Sequence, residues 1–540
     1  MVARREPSQA LRFVIGAAVV SLAVLALATV HLANLWSFAV VGTAALAAAW
    51  ILRDAVTVPR PTLLLALFAP FFIWYLVYAL APEASPDGSG YHLGLVRRYF
   101  EHDGLVRITT SMYADFSQGV EMLFLMAYAF GKEPAAAVVH LSFLAVLATL
   151  LIGFDRKSGW AAALLVVASP VVAIDAASAY NDVALACVLF ALFVLLERGE
   201  VNPWVIGLLA GFAFGIKYTG IVALPYALVR CRKPAVLAGA LLTMAPWMGK
   251  NWVFVGNPVA PFFNRVFPNE FMRASTEDQY RKAMRNYNGA SIGLDTPLEV
   301  TVRGGVLQGI AGPAFLLLPV ALFAWREPAV RRLLAAGVVF GLPWFANLGT
   351  RFLIPSLAFF ALAIAVALGS LRPGRLLLST LAGVQMIAAA PAAIDRYAAP
   401  YVWHIAEFPW KAALGIEAQD VYLRRRLGET YDLARLIDRT VPVGCRVYTA
   451  WPLPEAYTGR EILLDYTAAL NNRLSEALAT GNPEAAAEFR NAGVTWLLLH
   501  KDEKAGILFA DHASDWGAKL AAASGAGRLY TMEGKCFGSY

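Results

Sequence analysis

The sequence is poor in charge. Only 15% of its 540 residues are Asp, Glu, Lys or Arg, against about 25% in an ordinary soluble domain, and that excludes one large water-soluble globule. Cysteine is scarce as well. The four cysteines form no CxxC pair and stand in no His/Cys cluster spaced to hold zinc. No stripe of Lys and Arg interleaved with aromatics is present, so the net charge of +7 does not point to nucleic acid. Apolar residues are abundant instead: 59% of the chain is hydrophobic and 12% aromatic, far more than a disordered chain holds. These proportions describe a polytopic α-helical membrane protein.

The little charge there is falls unevenly. Residues 396–540 carry 16 Lys/Arg and 17 Asp/Glu, whereas residues 1–395 carry 29 and 21. The expected division is therefore a membrane domain over 1–395 and a normally charged domain over 396–540. The excess of Lys/Arg in the first part fits short cytoplasmic loops.

Apolar stretches close to the spanning length of about 17–25 residues recur at 12–33, 35–52, 61–81, 134–153, 158–175, 179–196, 201–216, 218–229, 236–254, 303–324, 332–348, 351–370 and 375–393. They predict about 13 transmembrane helices. The first is too long, and too directly followed by further apolar spans, for a cleavable signal peptide. Arg4, Arg5 and Arg12 place the N-terminus inside, and Arg53 with Arg60 the next turn, so loop 82–116 falls outside. Arg230, Arg232 and Lys233, then Arg326, Arg331 and Arg332, then Arg372 and Arg375 mark further inside loops, which leaves the C-terminal domain outside. An odd number of crossings is needed between 116 and 230. If 117–131 is juxtamembrane or re-entrant, Arg156, Lys157 and Arg198 lie inside and Asp182 and Lys217 outside; if 201–229 is one tilted helix, that order inverts. The first arrangement is preferred.

The C-terminal part reads as a small α/β domain: helix over 426–439, strand over 443–450, helix over 472–491, strand over 494–499, helix over 512–523 and strand near 528–532. It holds no GxGxxG, so it is not read as a nucleotide fold. Cys445 and Cys536 share this domain and are free to pair or to stay reduced.

Ionisable groups inside so apolar a region are costly and mark functional sites. Asp87 lies in the turn Pro86-Asp87-Gly88-Ser89-Gly90-Tyr91-His92, Asp182 follows Tyr180-Asn181, Lys217 stands alone between two short spans, and Arg351 precedes Phe-Leu-Ile-Pro. Each has an ordinary reading: loop acid, helix N-cap, snorkelling lysine, interfacial anchor. In the preferred topology all four face outward, and an acid for proton abstraction with cations for an anionic leaving group suits transfer from a phosphate lipid. Glu121, His92, His140 and the stretch 255–300, with Gly256-Asn257-Pro258, Tyr280, Arg281, Lys282, Arg285 and Tyr287, surround them.

These residues resemble the GT-C superfamily of integral-membrane glycosyltransferases, in the group of the protein O-mannosyltransferases and the lipid A aminoarabinose transferase. The matching segments are Asp87 with Tyr91-His92, Phe116-Ser-Gln-Gly-Val-Glu121-Met122, Ala179-Tyr180-Asn181-Asp182, Lys217, Pro246-Trp247 to Asn251 with Gly256-Asn257-Pro258-Val259, and Arg351-Phe-Leu-Ile-Pro355. They extend over about residues 80–400. The resemblance implies a bacterial inner-membrane enzyme that moves a sugar from a polyprenyl-phosphate donor, on the external face and with inversion, to a lipid, glycan or protein acceptor of the envelope. It implies Asp87 as base or acceptor-orienting carboxylate, Asp182 as a second acid, Lys217 and Arg351 as holders of the donor phosphate, and Tyr91, His92, Glu121, Tyr180 and Asn257 in support. The first loop carries one acid where protein mannosyltransferases have an Asp-Glu pair, and it lacks the His/Lys-Pro-Pro-Leu segment of several relatives, which leaves the acceptor open. Some members use a divalent cation, but two carboxylates on separate loops are too few to claim a metal site, and no other cofactor is expected. The competing classes are a transporter or flippase of lipid-linked substrates, which a repeat of the first half in the second would favour and which is not seen, and a non-catalytic scaffold.

Overall fold

The structure, a computed structural model, describes residues 8–52, 63–199, 202–400, 402–405, 407–480, 483–534 and 536. The orienting residues Arg4, Arg5, Arg53 and Arg60 lie outside the described residues. The chain divides into two compact units, one of Met1–Ala81, Ser117–Pro246 and Arg281–Leu414, the other of Pro82–Phe116, Trp247–Tyr280 and Gly415–Tyr540.

The first unit is helical. Among the described residues four helices are long and apolar enough to cross a membrane: Gln9–Thr29, Gly119–Phe154, Pro328–Ala346 and Thr350–Gly369. Two bent pairs, Gly159–Val167 with Pro170–Ala176 and Gly374–Ala388 with Pro391–Tyr397, raise the number to six if each is one span. The 13 apolar stretches therefore do not map one to one onto spanning helices, since several are broken inside. Pro170 and Pro391, each the first residue of its second helix, mark two of the breaks, because proline lacks the N–H that would continue the helix before it. Lys217 is a third, an extended residue at φ −157° and ψ 136° between Pro203–Ile216 and the next turn. Segment 117–131 is helical from Gly119 and breaks at Gly131 and Lys132, where the backbone leaves helical geometry. Its unbroken part is about 18 Å long, short of the roughly 30 Å of a bilayer core.

Helix Asp182–Arg198 occupies the middle of this unit, with every residue from Asp182 to Leu195 buried. Apolar side chains all round are what such a position requires. Helices Gly119–Phe154, Pro203–Ile216 and Ile354–Gly369 pack on it. Gly207 and Gly211 let helix Pro203–Ile216 approach its neighbour closely: a Cβ on either would stand 2.1 Å from Val236 O or 2.3 Å from Ala240 O, the small-residue contact typical of membrane helices.

Contacts place the end of this unit at Leu414, beyond the 395/396 division that charge alone suggested. The reason is local. Val402 and Ile394 pack on Ile310, and Ala399 N–H donates to Arg303 O at 2.9 Å, so the polar segment after 395 is fastened to the helical unit.

The second unit is built on a five-stranded sheet, β1 (Arg446–Thr449), β2 (Glu461–Leu464), β3 (Val494–His500), β4 (Ala518–Ser524) and β5 (Gly527–Met532), in the order β2-β1-β3-β5-β4. β1 pairs in parallel with β2 and β3, while β5 runs antiparallel between β3 and β4. Alternation sends Tyr448, Leu463 and Leu497 into one core with Phe489 and Trp516, and Val447, Ile462 and Leu498 into another with Leu433 and Ile437. Cys445 and Cys536 form a disulfide.

Two of the expected elements differ here. The helix expected over 512–523 ends at His512, and the alanine-rich Ala518–Ser524 is strand β4. Pairing with β5 across a turn at Gly525 outweighs helix propensity. Gly525 has φ +54°, and a Cβ there would lie 2.1 Å from Glu429 Oε1, an oxygen that also accepts from Ala526 N–H. The helix expected over 426–439 is two helices, Gln419–Leu427 and Glu429–Thr440, parted by Gly428 at φ +57° and ψ −134°. Strand β2, four residues long, carried no signal strong enough to be expected.

The loops 82–116 and 247–280 belong to this unit through hydrogen bonds. Met112 N–H donates to Thr467 O at 2.8 Å, Ala469 N–H to Phe271 O at 2.9 Å, and Tyr457 OH to Glu83 O at 2.8 Å. Arg98 meets Glu455 at 3.3 Å.

Candidate functional site

Asp182 opens the central helix, yet its carboxylate does not cap it. The N-terminal amides are served from elsewhere: Val183 N–H donates to Asp175 Oδ1 at 2.9 Å and Ala184 N–H to His140 Nε2 at 3.2 Å. His140 Nδ1 is 2.9 Å from the carbonyls of both Asp175 and Ser178. A backbone amide can only donate, so Nε2 carries the lone pair and Nδ1 the hydrogen. With the helix capped in this way, the Asp182 carboxylate is left for other partners.

Those partners are the two cations. Lys217 Nζ donates to Asp182 Oδ1 at 2.6 Å, and Arg351 Nε lies 3.6 Å from Oδ2. The Asp182 side chain is 3% exposed, those of Lys217 and Arg351 21% and 20%, so the acid is sealed while both cations keep access to the surface. Lys217 reaches this place because the helix ends at Ile216 and the lysine itself is extended. Arg351 reaches it from the tight turn Thr350–Leu353.

Aromatic rings fix the cations. The Arg351 guanidinium lies 5.0 Å from the Tyr180 ring, 4.9 Å from Phe352 and 5.6 Å from Trp403, and Lys217 Nζ lies 4.8 Å from Phe352. Behind them, Asn181 Nδ2 donates to Glu121 Oε1 at 3.3 Å. A pocket opens beside the cluster, lined by Asp182, Leu185, Leu189, Thr219, Phe340, Pro343, Asn347, Phe352 and Pro355. Its wall is apolar apart from Asp182, Thr219 and Asn347.

Asp182, Lys217, Arg351, Tyr180 and Glu121 thus gather in the first unit, whereas Asp87, Tyr91, His92 and Asn257 belong to the second. Asp87 precedes Gly88–His92, a single π-helical turn in which Gly90 leaves helical geometry. The backbone before it is pinned by Ser85 N–H donating to Glu83 Oε1 at 2.7 Å. Tyr91 stacks on Tyr113 with centroids 4.1 Å apart and planes 8° apart, and His92 is buried against Tyr91. Asn257 is engaged within its own loop, donating to Phe262 O at 2.8 Å and accepting from Val259 N–H at 3.0 Å.

Sequence reasoning missed several residues around these. Trp403 lay in the part read as a separate domain. Asp175 sat at the end of an apolar stretch, and a carboxylate there was a readable signal. Lys250 was missed too, whereas Asn251 stood in the segment that carried the resemblance; together they hold the turn Met112–Asp115, where Lys250 Nζ donates to Ala114 O at 2.5 Å and Asn251 Nδ2 to Asp115 O at 2.6 Å. Burial pushes the Asp115 carboxyl up to about 7, with the Lys250 ammonium working against that rise. Among the described residues no three His, Cys, Asp or Glu side chains converge as a metal site would require.

Residues 122–345 match the model of Glycosyltransferase family 87, a span that includes Asp182 and Lys217. No curated protein matches the chain. Among solved structures, ArnT from Cupriavidus metallidurans bound to undecaprenyl phosphate is similar with a TM-score of 0.55 at 15% identity, over 88% of this chain and 99% of that one. The arabinofuranosyltransferase AftD from Mycobacteria aligns at a TM-score of 0.45 and 14% identity, over 88% of this chain and 40% of that one. The chain is thus similar to a glycosyltransferase family over the central helices that carry Asp182 and Lys217, and its helical architecture is similar to that of ArnT.

Proposed function

We propose that the enzyme transfers a sugar from a polyprenyl-phosphate donor to an acceptor of the bacterial cell envelope, on the external face of the cytoplasmic membrane. The observation that carries this reading is the convergence of Lys217 and Arg351 on Asp182 beside an apolar pocket. A phosphate with an isoprenoid tail asks for that pairing of cations with an apolar wall. The undecaprenyl phosphate bound to ArnT is a ligand of this class.

In the reaction that the GT-C resemblance implies, a base, the role carried over to Asp87, accepts the proton of an acceptor hydroxyl as its oxygen bonds to the anomeric carbon from the side opposite the phosphate. The bond from that carbon to the phosphate oxygen breaks, and its electron pair leaves with the polyprenyl phosphate. The configuration inverts. The phosphate departs already charged and needs no acid; Lys217 and Arg351 stabilise the charge that builds on it. Asp182 holds the two cations in register between turnovers, Tyr180 and Glu121 support that cluster, and Tyr91 and His92 shape the Asp87 turn. Asn257 orders the 257–264 loop. No metal is invoked, because the two cations already supply the charge the leaving group needs.

The Cys445–Cys536 disulfide supports an external C-terminal domain, since such bonds persist in oxidising compartments. With the N-terminus inside, an odd number of spans follows, and 13 is the number proposed from the apolar stretches. The division of labour proposed gives the donor to the helical unit that ends at Leu414 and includes Trp403, and the acceptor to the unit that carries Asp87 and the C-terminal sheet.

The test is binding of undecaprenyl phosphate to the purified protein, followed by native mass spectrometry, together with turnover of a panel of undecaprenyl-phosphate sugars. Binding that falls at least tenfold in Lys217→Ala and Arg351→Ala, with release of undecaprenyl phosphate by the wild type, is expected. Equal binding by wild type and both variants would overturn the donor site. Envelope glycan and lipid profiles of a deletion strain then identify the sugar and the acceptor.

A further inference from the structure

The Asp87 turn is set in an aromatic surface that proton abstraction alone does not require. Tyr91, four residues on from Asp87, lies flat on Tyr113. Met112 N–H donates to Thr467 O at 2.8 Å, which brings Tyr466, the residue before Thr467, to the turn that carries Tyr113. The rings continue through Phe116, 6.2 Å from Tyr113, to Phe262 at a further 5.8 Å and Tyr280 at 6.2 Å beyond that. The turn carrying Tyr113 is anchored from beneath, where Lys250 and Asn251 hold the carbonyls of Ala114 and Asp115.

Tyr466 is the telling member. It comes from the C-terminal domain, two residues after the end of β2, and it is 42% exposed. A residue there for core packing would be buried, and one there for solubility would not be aromatic.

The chemistry of the surface selects its ligand. Aromatic faces attract partly positive C–H groups, and a sugar ring presents such a face with hydroxyls around its edge for a carboxylate and phenols to bond. A bound phosphate would need cations aimed outward, and Lys250 instead donates to backbone carbonyls. An acyl chain would need an aliphatic groove, whereas the rings nearest Asp87, those of Tyr91 and Tyr113, are phenols.

We propose that Tyr91, Tyr113 and Tyr466, with Asp87, form a carbohydrate-binding platform, and that the acceptor presents a sugar ring to it, so that the chain extends a saccharide. The word acceptor rests on the glycosyl-transfer reading above; sugar binding at the platform does not. The C-terminal domain then helps choose the substrate through Tyr466.

The experiment is saturation-transfer difference NMR on the full-length protein in lipid nanodiscs, with a panel of methyl hexopyranosides and methyl pentosides as probes and the peptide Gly-Ser-Gly as comparison. Ring C–H signals from at least one glycoside are expected with wild type, reduced fivefold or more in Tyr466→Ala, kept within about twofold in Tyr466→Phe and in Arg351→Ala, and absent for the peptide. Because Tyr466 is exposed, its removal leaves the core intact, and an unchanged melting temperature checks this. No glycoside signal with wild type, equal signals from wild type and Tyr466→Ala, or a peptide signal lost in Tyr466→Ala would overturn the platform. Sugar binding with no turnover of any lipid-linked donor would keep the platform and overturn the transfer reading; donor turnover with no glycoside signal would do the reverse.

Discussion

Lys217 and Arg351, 134 positions apart in the chain, meet on the two oxygens of one carboxylate, that of Asp182. Asp182→Asn keeps the shape and removes the charge that aligns them. The cations still attract a phosphate but no longer hold their places, so kcat is expected to fall at least about tenfold while donor KM changes less. Steady-state kinetics with varied lipid donor checks this; an unchanged kcat would remove the aligning role.

Asp87→Asn removes the proposed base and nothing else of bulk. Transfer should fall by a factor of about 100 or more, with undecaprenyl phosphate still bound as in wild type. Wild-type transfer rates in this variant would exclude Asp87 as the base.

The three rings around Arg351 predict that lysine cannot replace it, because a compact ammonium does not stack as a planar guanidinium does. Arg351→Lys should weaken donor binding nearly as much as Arg351→Ala. Trp403→Ala removes one ring, and a cation–π contact of about 0.5–2 kcal/mol corresponds to a loss of donor affinity of about 2- to 30-fold. Equal affinities for wild type and Trp403→Ala would show the ring to be dispensable.

Asp115 links stability to pH. Burial raises its folded pKa to about 7, above the usual aspartate value of about 4, so the folded state favours the proton. This carboxyl disfavours folding least below about pH 4, and the penalty grows as pH rises through 7. Asp115→Asn, which has no proton to lose, should gain melting temperature relative to wild type between pH 5 and pH 8, read by differential scanning fluorimetry. A difference that stays constant or shrinks over that range would refute the linkage.

The Cys445–Cys536 bond closes a 91-residue separation, and removing a native disulfide costs about 2–5 kcal/mol. Cys536→Ser should lower the melting temperature of the protein, and reductant should lower that of the wild type but not of the variant. Indifference of the wild type to reductant would show that the bond adds no stability.

Much of this molecule was legible in its sequence because charge is so rare in it. In an apolar stretch a lone Asp182, Lys217 or Arg351 stands out, and the structure brings these three together. Other features depended on contacts that no local pattern reveals. Trp403 joined the cluster because Val402 and Ala399 fasten its segment to the helical unit, although composition placed it in another domain. Ala518–Ser524 reads as helix by propensity and became a strand because β5 was there to pair with it. Lys250 resembled the end of one more apolar span, and Asn251 was read only as part of a matching segment; their role is visible once the carbonyls of Ala114 and Asp115 are placed beside them.

The hydrogen bonds that tie Met112 to Thr467, Phe271 to Ala469 and Glu83 to Tyr457 bear on how such enzymes can be recombined. A chimaera cut at the C-terminal boundary alone would separate each donor from its acceptor. The exchangeable piece is discontinuous: residues 82–116, 247–280 and 415–540 must travel together, and a graft that respects this grouping should carry acceptor preference with it.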